Sequence, residues 1–423
     1  MRAKLMILSA VIVGSVSGVF ATGCQTYDFE PVEPLAISQT TVETRIEARN
    51  LKPNLMLLVD TSGSMSDPVN PNLAACKNSG GEVCGIDFHC DISKCPTRWS
   101  ELQGAMSDFL SSSGSVARMG LASYPSDPVC NATTKVRISL PRIEEPDDAA
   151  ALQAKATEVN ASIQEIKNFG YGSPNPEGGT PTAESLMFLI NKSKLDGTDN
   201  VPQLKDTARK NFVLLLTDGL PNCNAAFSEA NCFCTTGDCG GSDKTGCLDQ
   251  TNSVKAVEAL GAQNIQTIVI GFGAAFDASS PSGKKGAETL NAMAEAGGFA
   301  RIKQCTADAE CGAGDTCVAG ACGRKFYQAA NRVDLAEALR QISERVQTQD
   351  PCLIGLNTTE LKESLTVVYF THRGTTTRLA AGQDTWSLVA GEGVRLAGDW
   401  CAKITQSTTA DPVNVEVRAV RAR

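Results

Sequence analysis

The fold is decided by the stretch Leu55-Met56-Leu57-Leu58-Val59-Asp60-Thr61-Ser62-Gly63-Ser64. Its first five residues are all apolar, which is typical of a strand buried on both faces of a parallel sheet. Polar residues begin at Asp60, directly after that run. Gly63 permits a tight bend, so the alternation Asp-x-Ser-x-Ser can place three side-chain oxygens on one side of a loop. The stretch therefore predicts a buried strand that ends in an oxygen-rich loop.

Similar apolar runs recur along the chain, and segments with helical periodicity lie between them. The runs are 119–124, 212–216 and 265–270, and the helical patterns cover 99–110, 149–166, 182–190, 253–260, 288–296 and 333–346. This alternation predicts an α/β fold, a doubly wound and mostly parallel sheet that is flanked by helices and has right-handed crossovers. A turn-rich stretch between 119–124 and 136–140 indicates a hairpin that ends the sheet at one edge.

Two further polar loops are expected at the same edge, because ligands bind at the carboxyl ends of the strands in such sheets. Asp218 follows the 212–216 run, and Gly178-Gly179-Thr180-Pro181 opens a helix. Two serine hydroxyls, a threonine hydroxyl and carboxylates from two strand ends form the oxygen set that a hard cation prefers. A single Asp-x-Ser-x-Ser match would also fit a helix-capping loop. Three loops, each behind a suitable element, favour a metal site.

These loops resemble the von Willebrand factor A (vWA) domain with an intact metal-ion-dependent adhesion site (MIDAS), of the kind carried by exported bacterial vWA lipoproteins. The matching segments are 57–65, 179–181, 217–219, 268–273, 290–294, 326–327 and 333–335, within about residues 52–347. The resemblance implies that Ser62, Ser64 and Thr180 are hydroxyl ligands, and that Asp60 and Asp218 act directly or through water.

The resemblance also implies a cofactor and a partner. The cofactor is a divalent cation, with Mg²⁺ as the first choice and Mn²⁺ or Ca²⁺ as alternatives. The family's partners supply an acidic side chain to the open metal position, so we expect a protein or surface polymer with an exposed carboxylate. Thr182 is a rival to Thr180, but the Gly-Gly-Thr alignment favours Thr180.

The N-terminus has the features of an export signal. Arg2 and Lys4 precede an apolar stretch over residues 5–20, which is shorter than the roughly 20 residues that span a membrane. Ala21-Thr22-Gly23-Cys24 resembles the bacterial lipobox, although Leu is usual where Ala21 stands. We therefore expect lipidation of Cys24, and Gln25 after it favours an outer-membrane or surface address. Cleavage after Ala21 is the alternative, and it would give a soluble secreted or periplasmic protein.

The cysteine count supports both export and lipidation. The chain has 17 cysteines, and removing Cys24 as a lipid acceptor leaves sixteen, which can all pair in an oxidising compartment. They fall into a first group of five (Cys76, Cys84, Cys90, Cys95, Cys130), a second group of five (Cys223, Cys232, Cys234, Cys239, Cys247), a group of four (Cys305, Cys311, Cys317, Cys322) and a pair (Cys352, Cys401). If all sixteen pair, an odd group cannot close by itself, so at least one disulfide should join the two groups of five. Zinc binding by the close cysteines is the alternative.

The domain organisation follows from these patterns. Residues 1–23 are a lipoprotein signal peptide and 24–50 a tether, with an edge strand near 41–48 left open. The vWA domain covers 51–350, with cysteine-rich inserts at 66–98, 221–248 and 303–324. Residues 351–423 alternate apolar and polar positions, which predicts a small β-rich region.

Composition narrows the function. The net charge of −9 argues against nucleic acid as a partner, because phosphate binding needs a basic face. We expect a non-enzymatic, adhesin-like binding protein of the bacterial envelope. A structural envelope protein that uses metal and disulfides only for stability is the alternative. A metal-dependent hydrolase is the third reading, but only two histidines occur and neither belongs to a recognisable catalytic motif.

Overall fold

The protein is described by a computed structural model. It covers residues 41–46, 51–85, 87–127, 129–169, 175–207, 209–224, 232–235, 239, 245–272, 276, 280–311, 315–347, 352–355, 362–389, 393–405, 407, 411 and 413–420. The predicted signal peptide and Cys24 lie outside these residues.

The chain alternates strands and helices before it enters a β-rich C-terminal region. The strands are β1 (Thr41–Ile46), β2 (Asn54–Asp60), β3 (Arg118–Tyr124), β4 (Asn211–Thr217), β5 (Ile265–Phe272), β6 (Cys317–Val318), β7 (Ala321–Cys322), β8 (Tyr327–Ala329), β9 (Leu353–Gly355), β10 (Thr366–His372), β11 (Thr375–Leu379), β12 (Trp386–Val389), β13 (Gly393–Leu396) and β14 (Val413–Val420). The helices are α1 (Arg98–Ser113), α2 (Ala149–Gln164), α3 (Thr182–Ile190), α4 (Gln250–Gly261), α5 (Pro281–Ala296), α6 (Arg332–Gln347) and α7 (Gly398–Thr405).

The centre of the larger domain is a five-stranded sheet with the order β3-β2-β4-β5-β8. All four strand pairs are parallel. Every residue of β2 and β4 is buried, which confirms the prediction made from the apolar runs. Because β2 and β4 are neighbours, the polar residues that follow them emerge side by side.

Helices cover both faces of this sheet. On one face, Leu57 of β2 packs in a core with Trp99 of α1 and residues of α2 and α6. On the other face, Leu58 of β2 packs with Leu186 of α3 and residues of α4 and α5. Successive strand residues point to opposite faces, so one apolar run supplies both cores. The predicted doubly wound α/β fold is confirmed.

Two details differ from the sequence prediction. The hairpin at the edge is reduced to one bridge between Leu121 and Ile138, because the chain then turns across the start of β3. There the Arg118 guanidinium donates to the carbonyls of Arg142 and Glu145. Helix α5 begins at Pro281 instead of residue 288, since its first turns contain glycine and lysine in place of an apolar repeat.

The C-terminal region contains a four-stranded antiparallel sheet, β1-β14-β10-β11, and a three-stranded one, β12-β13-β9. Strand β1 lies within the segment predicted as a tether and forms an edge of the first sheet. Val368, Phe370, Trp386 and Val415 are buried in a common core. Among the described residues, each helix is too short or too polar to cross a bilayer.

The sixteen cysteines after Cys24 form eight disulfides. The pairs are Cys76–Cys95, Cys84–Cys90, Cys130–Cys223, Cys232–Cys247, Cys234–Cys239, Cys305–Cys317, Cys311–Cys322 and Cys352–Cys401. The Cys130–Cys223 disulfide joins the two groups of five, as the parity argument predicts. A sulfur in a disulfide has no thiolate to offer a metal, so these pairings disfavour the zinc alternative.

Candidate metal centre

Three loops converge at the carboxyl end of the sheet. Loop 1 (residues 61–66) follows β2, loop 2 (177–181) precedes α3, and loop 3 (218–222) follows β4. Two backbone hydrogen bonds join loops 1 and 2: Glu177 N donates to Thr61 O at 3.0 Å, and Gly63 N donates to Gly178 O at 2.9 Å. Asp60, Ser62, Ser64, Thr180 and Asp218, the residues predicted as metal ligands, are brought together here.

Asp60 is fully buried at the end of β2. Its Oδ1 accepts a hydrogen bond from Ser62 N at 2.8 Å, and its Oδ2 accepts one from the Thr217 hydroxyl at 2.6 Å. These two donors fix the plane of the carboxylate on the neighbouring ends of β2 and β4. Its orientation is therefore set by the fold before any ligand arrives.

The two serine hydroxyls form a chain that leads to Asp218. Ser62 Oγ lies 3.2 Å from Ser64 Oγ, and Ser64 Oγ donates to Asp218 Oδ1 at 2.9 Å. A Cβ placed on Gly219 would lie 3.6 Å from both Ser64 Oγ and Thr180 Oγ1, so the Thr180 hydroxyl reaches the same place from loop 2. Ser64, Thr180 and Asp218 also line the same cavity.

Thr182, the rival to Thr180, occupies a different position. Its hydroxyl lies 3.5 Å from both the Tyr124 hydroxyl and the Thr180 carbonyl oxygen, and the residue is fully buried on α3. Thr180, unlike Thr182, lines a cavity of about 320 Å³ that opens beside the site. The position of Thr180 therefore suits contact with a ligand better.

Electrostatics at the site show an excess of negative charge. Burial, followed by the nearby Asp218 carboxylate, raises the pKa of Asp60 to about 7, although hydrogen bonds from Thr217 and Ser62 act in the opposite direction. Asp218 is also fully buried. Two buried carboxylates so close together need a compensating positive charge.

Arg98 supplies part of that charge, although it lies outside the sequence motifs of the site. Its Nη1 donates to Asp218 Oδ2 at 2.6 Å and to Ser64 O at 3.2 Å. Burial lowers the pKa of Arg98, but the Asp218, Asp67 and Asp60 carboxylates together raise it above its usual value, so the guanidinium stays charged. Arg98 is the first residue of α1, where a positive side chain is unfavourable to the helix dipole. This unfavourable placement in the sequence indicates that the Arg98 side chain pairs with an acidic side chain of the same protein.

The residues at the site fit a hard divalent cation. All the converging side-chain donors are oxygens, three from hydroxyls and the others from two carboxylates, and Arg98 offsets only one of the two negative charges. Mg²⁺, Mn²⁺ and Ca²⁺ prefer such oxygen ligands. Asp60, Ser62, Ser64, Thr180 and Asp218 would hold the ion.

The cavity beside the site has a mixed lining. Its walls include the polar residues Arg98, Asn222 and Thr235 together with the apolar residues Leu220 and Phe276. Phe276 is almost fully buried and packs edge-on against Phe326. A partner's side chain that entered here would meet the donor oxygens at one end and apolar surface at the other.

Comparison with known proteins gives structural likenesses only. No protein-family model matches the chain, and no curated protein does. The pilus adhesin SpaC from Lactobacillus rhamnosus GG is 14% identical, with a TM-score of 0.38 over 89% of this chain and 40% of SpaC. Manganese-loaded TRAP from Plasmodium vivax is 15% identical (TM-score 0.35, 83% of this chain, 85% of TRAP). Mussel byssus proximal thread matrix protein 1 with a zinc-occupied MIDAS motif is 12% identical (TM-score 0.34, 75% and 52%).

This chain spans well under half of SpaC, and at such TM-scores the likenesses carry no argument about function. The predicted doubly wound α/β fold is confirmed, and the three loops follow its elements in the predicted order. The metal ligands stay a prediction, now supported by their convergence.

Proposed function

We propose that this protein is a metal-dependent, adhesin-like binding protein of the bacterial cell envelope. The observation that carries the proposal is a cluster of side-chain oxygens around two fully buried carboxylates, Asp60 and Asp218. The hydroxyls of Ser62 and Ser64 form a chain that leads to Asp218, and Thr180 lines the same cavity as Asp218. Among the described residues, the Arg98 guanidinium pairs with Asp218. A bound divalent cation would supply the missing positive charge and an open coordination position for an acidic group of a protein or surface polymer.

The residues of the chain set how strongly such an acidic group is attracted. Three of the five donors are neutral hydroxyls, and Arg98 offsets the charge of Asp218. A third carboxylate, Asp67, lies 3.8 Å from Arg98 but is half-exposed, so solvent screens its charge. The protein therefore does not fully neutralise a divalent ion, which keeps a net attraction for one more carboxylate. The adjacent cavity gives room for the side chain that bears it.

The cellular address belongs to the same proposal. Lipidation of Cys24 would hold the domain at the outer membrane or cell surface, and the eight disulfides suit an oxidising compartment. We further propose that the protein is not an enzyme. His89 stacks on Phe169, and His372 lies 3.1 Å from Asp411, so both histidines are engaged away from the cavity.

Metal binding should stabilise the folded protein. When Mg²⁺, Mn²⁺ or Ca²⁺ is added to chelator-treated protein, we expect about 2.7 kcal/mol of stabilisation at a metal concentration of roughly 100 times Kd. The measurement is thermal unfolding, with K⁺ at matched ionic strength as the control. An unchanged midpoint with all three ions at millimolar concentration would contradict the metal site.

Partner binding should depend on both the metal and a carboxylate. We expect crosslinking on intact cells to capture a partner in Mg²⁺ buffer, and EDTA to abolish the capture. Amidation of the partner's carboxyl groups with a carbodiimide and an amine should also abolish its binding to the purified protein. A structural envelope protein, which the many disulfides would also suit, would show no EDTA-sensitive partner.

A further inference from the structure

One disulfide differs from the other seven in what it connects. Seven disulfides stay within one cysteine group, whereas Cys130–Cys223 joins residues 93 positions apart, in loops on opposite sides of loop 2. Cys130 lies in the turn after β3, and Cys223 follows loop 3. The bond therefore closes a covalent loop of residues 130–223, which includes the segment that carries Thr180.

Loop 2 is hydrogen-bonded to the chain beside each of the two cysteines. On one side, Gly179 N donates to the carbonyl of Val129, the residue before Cys130, at 2.7 Å. On the other side, Thr180 N donates to Asn222 Oδ1 at 2.7 Å, and Asn222 N donates to Thr180 O at 2.9 Å. Asn222 precedes Cys223, so each of these two hydrogen-bond partners of loop 2 is the residue next to one cysteine of the disulfide. We refer to the disulfide together with Val129 and Asn222 as the clamp.

Loop 2 also packs directly against the two sulfur atoms. A Cβ added to Gly179 would lie 2.3 Å from Cys223 Sγ and 3.1 Å from Cys130 Sγ, so only glycine fits there without displacement. Cys223 itself has φ 70°, a backbone conformation that residues with a side chain rarely adopt. The disulfide and the hydrogen bond from Cys223 N to Thr245 O, at 2.6 Å, hold it in that conformation.

The other predicted ligands do not need such a clamp. Ser62 and Ser64 follow β2, and Asp218 follows β4, so the rigid central strands place them. Thr180 precedes α3 and has no strand immediately before it. Its position depends on the hydrogen bonds that loop 2 makes with loop 1, Val129 and Asn222.

We propose that the Cys130–Cys223 disulfide and Asn222 are positioning residues for the metal centre, which fix the Thr180 hydroxyl beside Ser64 and Asp218. The inference rests on the proposed metal function and explains how the Thr180 hydroxyl is held at the metal centre. Removal of partners that orient metal ligands typically lowers metal affinity by about 10- to 100-fold. We expect a loss in this range when the clamp is opened.

The test compares metal affinity in four proteins. Mn²⁺ binding is measured by calorimetry and by the electron paramagnetic resonance signal of bound Mn²⁺ for the wild type, C130S/C223S, N222A and the control C305S/C317S. The control removes a disulfide from the 303–324 insert. We expect about 10- to 100-fold weaker binding and an altered resonance signal for C130S/C223S, a loss in the same direction for N222A, and wild-type binding for the control.

A double-mutant cycle with Thr180→Ala separates positioning from general loosening. If the clamp acts through the Thr180 hydroxyl, C130S/C223S should cost little further affinity in the T180A background. Equal losses in both backgrounds, or wild-type affinity in folded C130S/C223S, would overturn the inference and leave the metal function intact. If C130S/C223S does not fold, the Mn²⁺ affinity of N222A, which retains the disulfide, tests the inference: weaker binding supports it, and wild-type binding overturns it. Failure of the wild type to bind Mn²⁺ would overturn the inference and the proposed function together.

Discussion

Asp60→Asn is expected to weaken divalent-metal binding by at least about 100-fold, roughly 2.8 kcal/mol, and to stabilise the metal-free protein at pH 8. The loss of affinity follows from removing one of two buried carboxylates at the site. Asn keeps the shape of the side chain: its oxygen can accept from Ser62 N, and its amide can donate to the Thr217 hydroxyl, which turns to accept. The substitution therefore changes charge with little change in packing.

The gain in stability follows from the raised pKa of Asp60. The folded protein holds this proton up to about pH 7, whereas the unfolded chain releases it near pH 3.8. Stability that is present below pH 3.8 is therefore lost as the pH rises through about 7, by an amount on the order of 4 kcal/mol. The asparagine side chain of the variant does not titrate, so the variant should lack this decline.

Urea unfolding in EDTA at pH 5 and pH 8, combined with calorimetric titration of Mg²⁺ and Mn²⁺, measures both effects. Asp108→Asn is the matched control, because that carboxylate is more than half exposed and pairs with Arg332 on the surface. It should leave metal affinity unchanged. Wild-type metal affinity in Asp60→Asn would contradict the assignment of Asp60 as a metal ligand. A variant that is less stable than the wild type by the same amount at pH 5 and pH 8 would contradict the raised pKa of Asp60.

The fold could be predicted from the sequence because its central strands are unusually clear. The run before Asp60 is buried at every position, and the run before Asp218 is its direct neighbour in the sheet. The predicted hairpin after β3 is present only as one antiparallel bridge, because the periodicity of 136–140 does not reveal that the chain after it is hydrogen-bonded to Arg118 at the start of β3. An apolar pattern predicts that a segment is buried, but it does not predict which other segment it packs against.

The site could be predicted as three loops, and parity alone indicated a disulfide between the two groups of five cysteines. Asn222 and Arg98 were not predicted because each acts through hydrogen bonds to residues that are distant in sequence. Arg98 lies 120 positions from Asp218, and the helical pattern of α1 becomes visible only from the next residue. A single sequence shows periodicity and motifs, but it does not predict which long side chain pairs with a distant buried carboxylate.

Arg98→Met is expected to change metal binding and partner binding in opposite directions. Arg98 is mostly buried against the fully buried Asp218, so its removal leaves a carboxylate without a cation. Breaking such a pair typically costs about 3 to 5 kcal/mol, and the metal-free variant should lose stability in that range. A divalent ion would then be the main source of compensating charge. We therefore expect metal affinity to rise by about tenfold or more, and saturating metal to restore much of the lost stability.

The affinity of the metal-loaded protein for its acidic partner should fall in Arg98→Met. With Arg98 present, the buried Asp60 and Asp218 carboxylates and the guanidinium sum to one negative charge, so a bound divalent ion leaves this buried set positive. Asp67 also lies 3.8 Å from Arg98, but its half-exposed carboxylate is screened by solvent. Without Arg98 the same ion is fully balanced, and its attraction for a partner's carboxylate falls. Arg98→Lys, which keeps the charge but not the planar fork, should stay near the wild type in both measurements if charge is the cause. A loss of metal affinity in the Met variant would instead mean that Arg98 acts mainly by orienting Asp218, since orientation and charge repulsion predict opposite signs.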